Sequence, residues 1–140
     1  MRTSIEDRLA IQDLFIRYAT ALDGGDVEGV VGCFAEGASL DSPVVGVKTG
    51  QAEIRAFAEK FSAFQAGGAQ LRHILTNFAI TVDGDTARAT CYLVNILTRD
   101  GETRMGPPGR YDCKLTRVNG AWLFQYRLVV LDGVFKLDGI

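Results

Sequence analysis

At Gly67-Gly68 the hydrophobic pattern of this chain changes period, and that change orders its secondary structure. Ahead of the two glycines, apolar residues recur three and four positions apart. Behind them come long runs rich in β-branched and aromatic residues, spanning residues 71–82, 87–98, 110–118 and 122–131. Asp83-Gly84 and Asn119-Gly120 fall between runs as hairpin signals. The pattern predicts three helices followed by a four-stranded antiparallel meander, an α+β arrangement with helices covering one face of a sheet.

The helical half can be divided further. Ser4 with Asp7 resembles a capping box, and Ile5, Leu9, Leu14, Phe15, Tyr18 and Leu22 then share one helical face, predicting a helix over residues 5–22. Asp23-Gly24-Gly25-Asp26 breaks it, and Asp26 can cap a short second helix carrying Val27, Val30, Val31 and Phe34. Residues 38–41 and 44–48, parted by Ser42-Pro43, read as short strands or extended loop. Thr49 offers a cap for a third helix, in which Ile54, Phe57, Phe61 and Phe64 form a stripe of core spacing that ends at Gly67-Gly68.

Composition narrows the function classes. The 140 residues are 47% hydrophobic and 23% charged, ordinary proportions for one globular domain over residues 1–140. Fifteen Lys and Arg against seventeen Asp and Glu, spread without runs, lack the basic footprint of a nucleic-acid binder. No run approaches the ~18 apolar residues of a membrane span, and the opening residues carry charge where a signal core would be apolar, so a cytoplasmic location is expected. Cys33, Cys91 and Cys113 are widely spaced and odd in number, which argues against a disulfide framework or zinc site. One histidine without an H-x-x-x-H spacing argues against other metal sites. Neither metal nor cofactor is expected.

Strand alternation groups the remaining candidates. His73, Leu75, Asn77 and Ala79 share one face of the first long strand; Cys91, Leu93, Asn95 and Leu97 share one face of the next. Tyr111, Cys113 and Leu115 follow, then Leu123, Gln125, Arg127, Val129 and Leu131. Turned toward the helices, His73, Asn77, Asn95, Tyr111 and Arg127 would place polar tips in an apolar cup, as in a small-molecule pocket. The opposite orientation would bury Tyr92, Val94, Trp122 and Phe124, and alternation alone does not choose between the two.

Ala10-Ile11-Gln12-Asp13-Leu14, Tyr18-Ala19-Thr20-Ala21-Leu22-Asp23, Arg72-His73, Asn77, Gly84-Asp85, Gly109-Arg110-Tyr111, Gly120-Ala121-Trp122 and Arg127 follow one another in a characteristic order. Over nearly the whole chain they resemble the nuclear transport factor 2-like superfamily, in its polyketide-cyclase (SnoaL-like) and scytalone-dehydratase-like branch. The resemblance implies a cone-shaped barrel, with a curved antiparallel sheet wrapping three N-terminal helices around a pocket open at one end. His73 and Asp23 match the pair used by cofactor-independent dehydratases and a dehydrochlorinase of this branch, Tyr18 matches a tyrosine of bile-acid dehydratases, and Arg127 matches a pocket arginine. Scytalone dehydratases use two histidines, and this chain has one.

The implied chemistry is general acid–base catalysis. Imidazole exchanges its proton near physiological pH, and an aspartate on its other nitrogen fixes the tautomer. His73 would be the base, Asp23 its orienter, and Tyr18 a donor to a leaving hydroxyl or an enolate oxygen. Arg127 would hold an oxyanion or pair with Asp23. Phe15, Asn77, Cys91, Asn95 and Tyr111 are the expected substrate contacts. The leading expectation is a dehydratase acting on a hydrophobic ring compound. The alternatives are an isomerase of the steroid-isomerase type and a non-catalytic ligand-binding or partner-subunit module. A homo-oligomer, dimer or trimer, is implied by the resemblance, with neither nucleic acid nor membrane as partner.

Overall fold

Ser4 starts the first helix as its spacing with Asp7 requires: its side chain accepts from the Asp7 N–H at 3.1 Å, and α1 runs Ile5–Asp23. The molecule is described by a computed structural model over residues 3–137. Asp26 accepts from the Gly29 N–H at 2.9 Å and caps α2, Val27–Val31. Phe34, expected on that helix, instead opens β1, Phe34–Ser42, which pairs with β2, Gly46–Thr49. Thr49 sits at the N-cap of α3, Gly50–Ala66, but makes no side-chain cap. Its N–H donates to Glu53 Oε1 at 3.0 Å, while its hydroxyl bonds Ser39 across the β1–β2 pair.

The strands that follow are β3, Ala69–Asp83; β4, Thr86–Arg99; β5, Glu102–Met105; β6, Gly109–Val118; and β7, Ala121–Leu131. The single sheet has seven strands in the order β2-β1-β7-β6-β4-β3, with β5 paired to β4 outside that path. It is therefore larger than the expected four-stranded meander. It also contains one parallel pair, β1 with β7. β2 and β3 end the order, so the curved sheet stays unclosed and the expected barrel is an open one. At the β6–β7 hairpin Asn119 and Gly120 both have positive φ, 50° and 82°, which a two-residue turn of this hand demands.

The strand faces do not keep one parity. In β3, Thr76 pairs with Tyr92 but Ala79 pairs with Thr90, so one extra residue is accommodated between them, and Asn77 takes φ 58° there. Leu71, His73 and Leu75 face inward before this bulge; Phe78, Ile80 and Val82 do so after it, with Asn77 exposed. The β6–β7 register slips likewise around Gln125: Trp122 and Phe124 are buried on one side of it, Arg127 on the other. Each of the two sequence-derived orientations therefore holds for part of the sheet. The enclosed core includes Ile11, Leu14, Phe15, Phe34, Phe124 and Leu115.

The first turn of α1 is tied to the β6–β7 hairpin through Asp7. Its Oδ1 accepts from Trp122 Nε1 at 3.1 Å and Arg117 Nη1 at 2.8 Å, and the Arg117 guanidinium lies 4.5 Å from the Trp122 ring centre. The Trp122 hydrogen bond does most to hold the Asp7 carboxyl below the usual aspartate range, with Ser4 and Arg117 helping against some desolvation. A lowered folded value means that ionised Asp7 stabilises the fold above its unfolded value of ~3.9, and that this stabilisation is lost as pH falls through the folded value. Asp7→Asn should accordingly lower the melting temperature at neutral pH, and the gap from wild type should close as the pH falls through the folded value, below the usual aspartate range. A gap that persisted undiminished in acid would show that the charge is not its source.

Candidate active site

The C-terminal end of α1 is held from outside, which fixes Asp23. A helix leaves its last carbonyls without internal partners; here Gln65 Nε2 donates to the Leu22 carbonyl and Gln70 Nε2 to that of Asp23, each at 2.8 Å. Gly25, at φ 72°, turns the chain away in a conformation that side chains rarely adopt. The Asp23 carboxylate is left aimed at β3. Its Oδ2 accepts the His73 backbone N–H at 2.8 Å and its Oδ1 lies 2.5 Å from His73 Nδ1. Both oxygens thus serve one residue, and the side chains are only 7% exposed for His73 and 9% for Asp23.

A carboxylate only accepts hydrogen bonds, so Nδ1 carries the proton, and in the neutral ring the lone pair is then on Nε2. His73 lines a cavity of about 40 Å³ bordered by α1, α3, the inner sheet face and the segment after β7. With Nδ1 committed to Asp23, Nε2 is the ring nitrogen left to face that space. The walls are mainly Leu, Val and Phe side chains. Tyr18, Ser42, Asn95 and Tyr111 supply the other polar groups, and among the described residues no Asp, Glu, Lys or Arg side chain is in the lining.

The remaining sequence candidates separate. Tyr18, Asn95 and Tyr111 line the cavity beside His73. Phe15 and Cys91 are outside its lining: Phe15 packs edge-on against Phe78 and Phe124, and Cys91 is buried in the sheet core. Asn77 is exposed, because the bulge it occupies turns it out of the inner face. Sequence reasoning missed Ser42, which ends β1 and accepts from the Val44 N–H, and Phe135 and Leu137, which reach the cavity from beyond the last strand. Apolar residues after Asp132-Gly133 were the available signal for the latter two. Residues 138–140 of that tail lie outside the described residues.

Arg127 occupies an unexpected setting. Entirely buried, it forms no pair with Asp23, and among the described residues the only hydrogen bond its side chain shows is from Nη1 to Cys113 Sγ at 3.7 Å. Among the described residues its Nε and Nη2 have no protein partner. Aromatic rings surround the guanidinium instead, with centres at 3.7 Å for Tyr111, 3.9 Å for Tyr18, 4.6 Å for Phe124 and 5.4 Å for Phe15. The charge therefore sits behind the two tyrosines that line the cavity.

Burial sets the protonation of the neighbours. It pushes the Tyr18 phenol up to about 12, with Arg127 opposing, and raises Tyr111 above the ordinary tyrosine value in the same way. Burial also lifts the Cys91 thiol to about 11 and that of Cys113 to about 12, so neither is a ready nucleophile. At neutral pH the site thus offers two phenolic donors inside apolar walls, beside the His73 imidazole and the Asn95 carboxamide. Among the described residues no three His, Cys, Asp or Glu side chains converge as metal ligands, and no helix is long and apolar enough to cross a membrane.

An open, curved sheet folded over three helices, with an Asp–His pair facing an apolar cavity, defines a small α+β protein of the nuclear transport factor 2-like class. The chain belongs to the SnoaL-like domain family, whose match spans residues 3–128. A protein from Novosphingobium aromaticivorans that carries the provisional name aromatic ring hydroxylase is 34% identical. It superposes with a TM-score of 0.82, over 95% of this chain and 94% of that one. A nuclear transport factor 2-like protein with a cystatin-like fold, from the same organism, is 28% identical, with a TM-score of 0.81 over 93% and 85% of the two chains. A third protein of that organism, provisionally named a scytalone dehydratase, shares the fold at 21% identity, with a TM-score of 0.81 over 92% and 86%. No curated protein matches the chain.

Proposed function

We propose that this protein is a cofactor-independent lyase, a dehydratase acting on a hydrophobic ring-containing small molecule. The observation that carries the reading is the double engagement of Asp23 with His73, which leaves Nε2 as an oriented base facing an apolar cavity. His73 Nε2 takes a proton from a carbon next to an activating carbonyl or double bond, and the pair of electrons moves to form a new C=C bond. Tyr18 and Tyr111 donate hydrogen bonds to the oxygen on which charge collects, while Asp23 stabilises the imidazolium. The adjacent C–O bond breaks, and the hydroxide leaves as water after taking the proton back from His73. Substrate becomes alkene plus water, with no net change in oxidation state.

The cavity is smaller than the roughly 150 Å³ that holds a benzene ring in an engineered apolar core. Admission of a ring compound therefore calls for a wider cavity, and Phe135 and Leu137, which line it from beyond the last strand, are the side chains proposed to move aside. The test is incubation of the protein, without metal or cofactor, with a panel of apolar ring alcohols and enones, following absorbance for new conjugation and mass for loss of water. Dehydrated product is expected. Conjugation without change of mass would turn the reading to an isomerase, in which the proton returns to another carbon. No turnover of any panel member would favour the ligand-binding alternative.

A further inference from the structure

Asn95 has its backbone satisfied and its side chain left over. The carbonyl accepts from the Gly106 N–H at 2.8 Å, but among the described residues the side-chain Oδ1 has no partner, although Asn95 is only 7% exposed. A buried carboxamide without a partner weakens a fold that leucine at the same place would not, so such groups call for an explanation. The explanation is its position. Asn95 stands directly across from His73 in the β3–β4 register, and both residues line the cavity. Directly opposed side chains on one sheet face lie about 5 Å apart at Cβ, so a molecule touching His73 Nε2 touches Asn95 as well.

We infer that Asn95 is a specificity-determining residue that accepts a hydrogen bond from a hydroxyl retained on the substrate. The inference rests on the reading of His73 as a base, and it adds a second oxygen function to the substrate. An orphan acceptor calls for a donor, and in this setting a ligand O–H supplies one. That hydroxyl is not the leaving one. The Oδ1 acceptor has no proton to give a departing oxygen, an amide N–H is too weak an acid to transfer its own, and accepting from the O–H makes that oxygen more electron-rich and slower to leave. The departing group accordingly lies on the Tyr18 and Tyr111 side of the cavity, where donors are available. The substrate class is an apolar ring compound with a hydroxyl that survives the reaction and a separate leaving group.

The test is equilibrium dialysis with 2-naphthol, whose hydroxyl cannot leave, and naphthalene, which lacks it. Wild type should bind naphthol about tenfold or more tightly than naphthalene, against the order of their hydrophobicity, because a site built for a hydroxyl rejects the analogue without one. In Asn95→Leu, of similar volume, the two affinities should converge to within about twofold or reverse while thermal unfolding remains cooperative. Asn95→Ala should do the same if leucine disturbs the fold. A naphthol preference that survives in the folded variants, or absence of naphthol binding to wild type up to its solubility limit, would overturn the inference. His73→Gln separates the two readings. If it abolishes turnover while the Asn95 variants keep the naphthol preference, only the hydroxyl assignment fails; if wild type turns nothing over yet shows an Asn95-dependent preference, only the lyase reading fails.

Discussion

Substitution of His73 by glutamine is expected to lower turnover by about a hundredfold to ten-thousandfold, the range that positioned acid–base groups contribute. Glutamine keeps much of the size and can still present an N–H to Asp23, and the backbone hydrogen bond from residue 73 to Oδ2 does not depend on the side chain. The fold should therefore survive. What is lost is the lone pair that accepts a proton and the conjugate acid that returns it. Asp23→Asn provides the companion measurement. Asparagine presents one acceptor and one NH₂ where the carboxylate presents two acceptors, and both positions face donors on His73. One contact must break, or the imidazole must carry its proton on Nε2, the tautomer that cannot act as base. Turnover should fall in this variant too, and its loss should not add to that of His73→Gln in the double variant, since both changes disable one unit. Equal turnover by wild type and folded His73→Gln would remove the mechanism.

The parts of the site set by local chemistry were legible in the sequence. Ser4 with Asp7, Asp26, Gly67-Gly68 and Asn119-Gly120 each act through their own backbone or next few residues, and the elements begin or end where they stand. Asp23 sits at such a boundary, closing α1, while His73 lies four residues into β3 on its inward face. Period-two reasoning failed where the strands carry an extra residue. Asn77 was assigned to the pocket because counting by twos from His73 reaches it, yet one inserted residue reverses every later side chain. The reversal was visible in Leu71 and Leu75 followed by Phe78, Ile80 and Val82, with an asparagine, a residue tolerant of positive φ, at the change. β5 was missed although Asp100-Gly101 carries the same turn chemistry as Asn119-Gly120, because four exposed residues leave no apolar pattern. The parallel β1–β7 pair and the aromatic cage around Arg127 join residues far apart in the chain, for which no local signal exists.

Arg127→Met is expected to leave the fold as stable as wild type or more so, and to slow the proposed reaction. A buried guanidinium gives up several kcal/mol of hydration. Among the described residues no carboxylate pairs with it to repay this, so the compensation comes from the surrounding rings, at up to about 2 kcal/mol for each well-placed desolvated ring. Those terms are of similar size and opposite sign. Methionine fills comparable space, keeps sulfur–aromatic contacts and carries no charge to hydrate, so a change between zero and about 4 kcal/mol in the stabilising direction follows. Fold stability therefore does not explain the arginine, and its place behind Tyr18 and Tyr111 suggests what does. A fixed positive charge there favours negative charge forming on an oxygen held by the two phenols. At an effective dielectric of about 20, unit charges interact by about 4 kcal/mol at 4 Å and half that at twice the distance, and 2 kcal/mol corresponds to about thirtyfold in rate. Because Arg127 does not line the cavity, it gives an uncharged ground-state substrate no contact. The variant should accordingly lose kcat by about tenfold to a hundredfold while KM changes by less than about threefold. A fall in melting temperature with kcat intact would make Arg127 a packing residue; unchanged stability with kcat intact would deny the charge any part in the reaction.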